Sequence, residues 1–372
     1  MGGRWLHETT TSHPSRHPDI FPDIRDTMTS NTVLVLYAGG TLGMFDGPQG
    51  LRPGHDFEPR LRHAFTHLAA YRRDAIPPFE MLEYTTPIDS SSATPADWQR
   101  LARDIAERYA DYAGFVVLHG TDTLAWSASS LAFQLQGLGK PVVVTGAQKP
   151  LEAPYSDALD NVETALRFAA RTDLTEVAIA FGGKLMRGCR TRKWDTQAFD
   201  AFHAPNWPLL GEIIDDEPVL YTARCLSPTG APRFELPDLA PTSAVIRLPL
   251  WPGIKARQIA QLLDDDTVHG AVLESWGSGN IPEDTALAGE LAAASSRGIL
   301  LAVISQCPYG PVTLGTYASG NVLKDIGALA GDDMTPEAAF TKLVHLLSQP
   351  LPEAQRRCQF LSSLCGERSA LT

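Results

Sequence analysis

Three short apolar runs of this sequence are each followed directly by hydroxyl or carboxyl side chains. Residues of this kind can act as nucleophiles, carry protons or bind a cationic group. One such group after an apolar run has little meaning, whereas three at corresponding positions favour a functional site. The residues concerned are Thr41, then Asp89, Ser90 and Ser91, and then Thr121 and Asp122.

Each of these groups also has a simpler interpretation when it is taken alone. Thr41 could cap the turn that follows it, and Thr121 and Asp122 could cap the next helix. His119 ends an apolar run, and we expect it to be a hydrogen-bonded packing residue rather than a general base. Lys193 belongs to a basic run, which is usually a solvated loop, although a lysine beside Asp122 could shift that carboxyl's proton affinity.

Motifs for several other chemistries are absent from the sequence. The glycine-rich turn G-G-T-L-G at 39–43 lacks the G-x-G-x-x-G spacing of a dinucleotide site, and no Gly-Lys-Ser/Thr follows it. The sequence contains neither a G-x-S-x-G elbow nor H-E-x-x-H. Its five cysteines are scattered without a C-x-x-C pair, so we expect no metal site and no disulfide framework, but reduced cytosolic thiols.

The excess of acidic residues limits the classes of partner that the chain is expected to bind. With 31 basic against 43 acidic residues, the formal net charge is −12. Binding to nucleic acid or to an anionic membrane needs clustered Lys and Arg, so neither is expected. No stretch is long and apolar enough to span a membrane, and the first residues lack the apolar core of a signal peptide. These features predict a cytoplasmic protein.

The apolar runs predict strands buried on both faces of a parallel sheet, because they are rich in Val, Leu and Phe without polar alternation. Helices are predicted between them at 94–111, with Thr94 as N-cap and Pro95 at the first helical position, and at 123–137. Since ligands bind outside the carboxyl ends of such strands, the polar groups should meet at one edge. The predicted strands are 33–37, 79–84, 115–118, 142–145 and 177–181.

The strand–helix pattern weakens at 215–240, where proline, glycine and charge cluster, and then resumes. We expect a linker there, between a larger catalytic α/β domain with a doubly wound parallel sheet (31–214) and a smaller C-terminal α/β domain (241–372). Residues 1–30 are expected to form a disordered arm. In the second domain the pattern predicts strands at 244–248, 271–274 and 300–304, and helices at 255–263, 284–297 and 336–347.

Five segments, in a fixed order, resemble the bacterial-type L-asparaginases and in particular their cytoplasmic type I branch. G-G-T alone is a weak signal, but G-G-T followed by H-G-T-D-T at this separation is a strong one. The resemblance runs from about residue 32 to the end of the chain. The segments are Y-A-G-G-T-L-G-M at 37–44, D-S-S at 89–91, L-H-G-T-D-T-L-A-W-S-A-S-S-L-A-F at 118–133, V-V-V-T-G-A-Q-K-P-L at 142–151 and R-G-C-R-T-R-K at 187–193.

This resemblance implies hydrolysis of L-asparagine to L-aspartate and ammonia, without a metal or organic cofactor. Thr41 matches the family's threonine nucleophile, which attacks the amide carbon. Thr121 matches its second threonine, which forms a proton relay with Asp122 and Lys193.

The resemblance also implies how the substrate is held. Asp89, Ser90 and Ser91 match the substrate-binding stretch of the family. Thr121 and Asp122 match residues that touch the substrate, and Asp122 faces its α-amino group. Relatives form dimers and tetramers in which one subunit closes the site of another, so a homo-oligomer is expected.

One position departs from the family pattern. Many relatives carry a tyrosine in the loop after the first strand, whereas residues 44–54 of this chain contain none and Leu51 occupies the corresponding place. Tyr317, in the C-terminal domain, is a candidate to replace it from a neighbouring subunit.

Two other functions stay open on the sequence alone. An asparaginase-like subunit of a tRNA-dependent amidotransferase has the same fold, but the acidic charge counts against it. A non-catalytic asparagine-binding or regulatory protein would keep the pocket without turnover, and only the missing loop tyrosine supports it.

Overall fold

A computed structural model describes residues 1–2, 31–47, 50–227, 230–239, 244–315 and 318–369. Most of the arm expected over residues 1–30 lies outside this range. In chain order the strands are β1 (Val33–Tyr37), β2 (Met44–Gly47), β3 (Gly50–Pro53), β4 (Phe79–Glu83), β5 (Gly114–Leu118), β6 (Leu135–Gln136), β7 (Val142–Thr145), β8 (Val177–Phe181), β9 (Lys184–Arg187), β10 (Arg192–Lys193), β11 (Phe202–His203), β12 (Gly211–Ile214), β13 (Glu217–Leu220), β14 (Arg233–Phe234), β15 (Val245–Pro249), β16 (Gly270–Ser275), β17 (Leu300–Ser305) and β18 (Leu329–Ala330). The α-helices are α1 (Phe57–Thr66), α2 (Ala70–Asp74), α3 (Pro95–Glu107), α4 (Leu124–Gln134), α5 (Ala158–Ala169), α6 (Ala256–Leu263), α7 (Thr285–Ser296), α8 (Ala318–Asp325), α9 (Pro336–Leu347) and α10 (Glu353–Leu361).

Eight strands of the described chain form the larger sheet, in the order β13-β12-β9-β8-β7-β5-β1-β4. Strands β4, β1, β5, β7 and β8 are parallel, and β9, β12 and β13 extend the sheet in antiparallel fashion. Alternate residues of β1 point to opposite faces of the sheet. Leu34 packs in a cluster with Leu101 of α3, and Val35 packs in a cluster with Leu61 of α1. Burial on both faces explains the uninterrupted apolar runs and confirms the predicted α/β class.

The two predicted helices of this domain begin as expected but end early. Thr94 precedes α3, and its backbone N–H and hydroxyl donate to the Asp97 carboxylate at 2.8 and 2.9 Å. Helix α3 ends at Glu107. Helix α4 ends at Gln134, because Leu135 and Gln136 leave the helix to pair with β14.

The expected linker at 215–240 contains secondary structure both at its start and at β14, which pairs with β6. Residues 217–220 form β13, which pairs with β12 at the edge of the larger sheet. Asp215 and Asp216 connect the two strands with φ angles of 49° and 63°. Two consecutive left-handed residues form the tight hairpin turn that suits the twist of paired strands, and aspartate tolerates this conformation.

The smaller sheet has the order β15-β16-β17-β18 and is parallel throughout. Ile259 of α6 and Leu291 of α7 pack in one apolar cluster, and Leu343 of α9 and Phe360 of α10 in another. The strands and helices predicted here agree with those observed to within about two residues, and the smaller C-terminal α/β domain is confirmed. Within the described ranges, no helix combines the length and apolarity needed to cross a bilayer.

Candidate active site

The candidate site lies where the order of the larger sheet reverses. Strand β1 stands between β4 and β5, although β4 follows it along the chain and β5 comes later. The carboxyl ends of neighbouring parallel strands at such a reversal form the usual crevice for a ligand. Thr41 follows β1 and begins a short 3₁₀ turn, the segment 89–91 follows β4, and Thr121 follows β5. The fold thus brings the three predicted groups to the same edge of the sheet, where a ligand crevice is expected.

Two glycines let the backbones of these loops touch. Gly39 and Gly40 have φ angles of 132° and 101°. A Cβ atom on Gly39 would lie 2.6 Å from the Ile88 carbonyl oxygen, and one on Gly40 would lie 2.6 Å from the Gly120 nitrogen. The loop that carries Thr41 is therefore in direct backbone contact with the loops after β4 and β5, which side chains at these positions would prevent.

We expect Gly40→Ala to destabilise the protein because it adds a collision to backbone strain. A residue forced into such a conformation costs about 1–3 kcal/mol, and the new Cβ would also push the Gly120 loop away. Gly253→Ala is the matched control, since Gly253 has a φ of 86° but no atom within 4 Å of its Cβ position. Denaturant midpoints should fall further for Gly40→Ala; equal losses would show that no collision occurs.

Lys193 joins the site from a distant part of the chain. Its Nζ donates to Thr121 Oγ1 at 2.9 Å and to Asp122 Oδ1 at 2.8 Å. The Thr121 residue is 7% exposed, while the side chains of Lys193 and Asp122 are 21% and 62% exposed. An ion pair so open to water adds little stability. Its significance is geometric, because it fixes an ammonium group against a buried threonine hydroxyl.

The Asp89 carboxylate is prearranged by its own turn. It accepts hydrogen bonds from the Ser91 N–H at 3.0 Å and from the Ser91 hydroxyl at 2.9 Å, with Ser92 Oγ at 3.3 Å. These bonds from Ser91 and Ser92 lower the pKa of Asp89, because they stabilise the charged form. Ser90 is buried, and its carbonyl accepts from the Thr123 hydroxyl at 2.7 Å. The Asp89 carboxylate is therefore ionised and held in a fixed orientation at the carboxyl end of β4.

His119 is a packing residue, as the sequence predicted. Burial lowers its pKa, so the ring is neutral. Nδ1 lies 2.8 Å from the Gly120 carbonyl oxygen and Nε2 lies 3.0 Å from Ser127 Oγ. Because a carbonyl only accepts, Nδ1 must donate to it, and Nε2 then accepts from Ser127. Both ring nitrogens are committed to holding the Gly120 loop.

Arg60, which no sequence pattern singled out, anchors the hairpin β2–β3 next to Thr41. Its guanidinium donates to the Gly43 carbonyl at 3.0 Å, pairs with Glu152 at 2.6 Å and lies 3.8 Å from the ring centroid of Phe45. Nothing near Arg60 in the sequence signals these contacts, because its partners come from two other segments, one at residues 43–45 and one at Glu152. Leu51 of the hairpin is 46% exposed, and Tyr317 lies outside the described residues.

The chain matches known proteins over most of its length. Residues 32–225 match the family model "Asparaginase, N-terminal", and residues 244–360 match "Glutaminase/Asparaginase C-terminal domain". L-asparaginase 1 of Escherichia coli is 41% identical over 342 residues, covering 91% of this chain and 98% of that protein. The crystal structure of L-asparaginase I from Vibrio cholerae is similar with a TM-score of 0.81 and 37% identity, covering 91% and 99% of the two chains. The thermostable L-asparaginase from Thermococcus kodakarensis is similar with a TM-score of 0.81 and 29% identity, covering 91% and 100%.

Proposed function

The chain belongs to the asparaginase family and hydrolyses L-asparagine to L-aspartate and ammonia, and we propose that Thr41 is the nucleophile of this reaction. The contact of Lys193 with both Thr121 and Asp122 carries the proposal. A threonine hydroxyl needs a neighbouring group that accepts or passes on its proton before it can attack, and the Thr121–Lys193–Asp122 set provides such a group beside the Thr41 loop. No described group of three or more His, Cys, Asp or Glu residues is arranged to hold a metal ion.

In the first step, Thr41 Oγ attacks the side-chain amide carbon of asparagine. A bond forms from that oxygen to the carbon, and the carbon–nitrogen bond then breaks. The proton leaving the hydroxyl ends on the departing nitrogen, so ammonia is released and an aspartyl ester of Thr41 is left. Water attacks this ester in the second step, giving aspartate and restoring the hydroxyl.

Thr121 passes a proton on in both steps. In the first step its oxygen takes the proton that Thr41 loses while its own hydrogen goes to the departing nitrogen. In the second its oxygen takes a proton from the attacking water while its hydrogen returns to Thr41 Oγ. The Lys193 ammonium donates to Thr121 Oγ1, so the hydroxyl hydrogen of Thr121 is free to point into the crevice. Asp122 holds the ammonium from its other side at 2.8 Å. Positioned acid–base groups of this type contribute about 10²–10⁴-fold in rate. Backbone N–H groups at the Thr41 and Thr121 turns would stabilise the oxyanion, at roughly 3–4 kcal/mol for each good donor.

The substrate is held by groups of opposite charge and by hydroxyls. Asp89, with its lowered pKa, and Asp122 attract the α-ammonium group of asparagine. Ser90, Ser91 and Thr121 supply hydrogen bonds to its polar atoms. Because Ser91 already donates to Asp89, its contribution to the substrate runs largely through the position of that carboxylate.

We also propose a cytoplasmic homo-oligomer, either a dimer or a tetramer. Trp194 and Phe199 are 47% and 43% exposed near the relay lysine, a surface that a second subunit would cover. The five cysteines are free thiols, as is usual in a reducing compartment. Tyr317 of a neighbouring subunit is our candidate for the loop tyrosine of the relatives. A fully active monomer in light scattering would contradict the shared site, and unchanged turnover by Tyr317→Phe would exclude that residue.

The function is tested by ammonia release from L-asparagine by the purified chain alone, with L-glutamine as the comparison substrate. We expect turnover of asparagine without any added protein, nucleic acid or metal. Asparagine binding without ammonia release would instead indicate a non-catalytic binding protein. Release only in the presence of tRNA and a partner would indicate an amidotransferase subunit. One extra methylene changes discrimination by about 1–3 kcal/mol, so a weaker glutaminase activity is compatible with the proposal.

A further inference from the structure

Residues 362–369, which we call the C-terminal strap, are tied to α9 by a buried ion pair. The Glu367 carboxylate accepts from the backbone N–H groups of Leu364 and Cys365 at 2.9 Å each and pairs with Lys342, both side chains being 0% exposed. Lys342 Nζ also donates to the carbonyls of Phe360 at 2.8 Å and Ser362 at 2.6 Å. The path of the strap is therefore set by the C-terminal domain.

The same strap reaches into the N-terminal domain at residues 187–193, which we call the relay segment because it ends at Lys193. Arg190 Nε donates to the Gly366 carbonyl at 2.7 Å, and its Nη1 lies 2.8 Å from Asp333 Oδ2. Ser369 also binds the Asp333 carboxylate: its N–H donates at 2.9 Å and its hydroxyl donates at 2.5 Å. The Arg190 side chain is 0% exposed, so this junction is closed to water.

Weaker contacts reinforce the junction at the other end of the 3₁₀ turn Gly188–Arg190. Arg187 donates to the Gly366 carbonyl at 3.4 Å, and the Cys189 thiol donates to the Cys365 carbonyl at 3.4 Å. Thr191 is 0% exposed, and its hydroxyl donates to the Arg187 carbonyl at 2.7 Å. Hydrogen bonds thus hold the relay segment as far as Thr191, the residue before β10.

Strand β10 is only two residues long, and beyond its pairing with β11 its Arg192 lies 3.4 Å from the Glu337 carboxylate. It consists of Arg192 and Lys193, which pair with the two residues of β11. Yet Lys193 Nζ must stay within hydrogen-bond distance of both Thr121 and Asp122. A buried ion pair is seldom more stabilising than apolar packing, because desolvation of the charges offsets their attraction. What the Arg190 junction provides is a defined position for the chain that leads to Lys193.

We propose that Arg190 is a positioning residue, through which the C-terminal strap and Asp333 hold the Lys193 ammonium against Thr121. The proposal rests on the proton relay of the proposed function. Displacement of a reacting group by about 1 Å can cost about 10²-fold in rate. The C-terminal strap is thereby part of the catalytic arrangement, although the proposed mechanism assigns none of its described residues to the crevice.

The test compares Asp333→Asn and Arg190→Lys with Glu163→Gln, measuring kcat and KM for asparagine well below each melting temperature. Glu163 is a matched control, because it is a buried carboxylate whose ion pairs, within the described residues, are with Arg72 at 2.5 Å and Arg167 at 3.6 Å rather than with the relay segment. We expect about a tenfold or greater loss of kcat with KM nearly unchanged for the two junction variants, and unchanged kcat for Glu163→Gln. Ser369→Ala removes only one hydroxyl and should shift kcat in the same direction, so it decides the matter if a junction variant does not fold.

A double mutant separates positioning from general support. If Arg190 acts through Lys193, then Asp333→Asn in a Lys193→Ala background lowers kcat no further than Lys193→Ala alone. Losses that multiply, or junction variants that melt earlier but keep the parent kcat, would overturn the proposal. An active Lys193→Ala variant would instead contradict the relay itself, so the two failures are distinguishable.

Discussion

Replacing Thr41 with alanine is expected to lower kcat for L-asparagine by about a thousandfold or more. The hydroxyl is the only group at the end of β1 proposed to bond to the amide carbon, and without it the ester cannot form. Removal of a nucleophile from a catalytic unit typically abolishes most of the rate enhancement. Steady-state ammonia release at high enzyme concentration measures the residual rate.

Substrate binding should survive this substitution. The groups proposed to hold the substrate follow β4 and β5 and do not depend on the Thr41 side chain for their hydrogen bonds. Calorimetric titration with L-aspartate should therefore give similar affinities for the parent and Thr41→Ala. Thr41→Ser is the control that keeps the hydroxyl and should retain substantial turnover. Near-parent turnover by Thr41→Ala would contradict the assignment of the nucleophile.

Replacing Lys193 with methionine is expected to lower kcat by about 10²–10⁴-fold, the range typical of a lost acid–base group. Methionine keeps the apolar length of the side chain but removes the donor that lies 2.9 Å from Thr121 Oγ1. KM should change less than kcat, because Lys193 is proposed to act on the proton path. Measurement of kcat and KM for asparagine on the folded Lys193→Met variant checks this expectation.

Lys140→Met is the matched control for the lysine substitution. Lys140 is also partly buried and donates two hydrogen bonds, to the carbonyls of Tyr109 at 2.6 Å and Tyr112 at 2.7 Å. It lies just before β7, at the amino ends of the parallel strands, whereas the candidate site lies at their carboxyl ends. Its replacement should lower stability and leave kcat near the parent value. Comparable losses of kcat in both variants would mean that Lys193 has only a structural role.

The position of the crevice could be predicted from the sequence because it follows from strand ends. Thr41 and Thr121 stand directly after apolar runs, and parallel strands bring their carboxyl ends to one edge. The capping of α3 by Thr94 is equally local, so its start was predicted correctly. The early end of α4 was not, since Leu135 and Gln136 pair with residues almost a hundred positions away.

The remaining features depend on contacts that no local pattern contains. Lys193 lies 72 residues from Thr121 in sequence, and Arg190 lies 176 residues from the Gly366 carbonyl that it binds. Only the family resemblance singled out Lys193, and nothing in the sequence singled out Arg190. The hairpin at Asp215 and Asp216 was missed for another reason: two aspartates provide a left-handed turn without the glycine that usually signals one.

The most direct test of the account is to quench the enzyme with acid while it turns over L-asparagine and to map the attached acyl group by mass spectrometry. We predict an aspartyl ester on the peptide that contains Thr41, located at the Thr41 side chain and absent from Thr41→Ala. An aspartyl group on Thr121 instead, or aspartate formed at the parent rate by Thr41→Ala, would contradict the account.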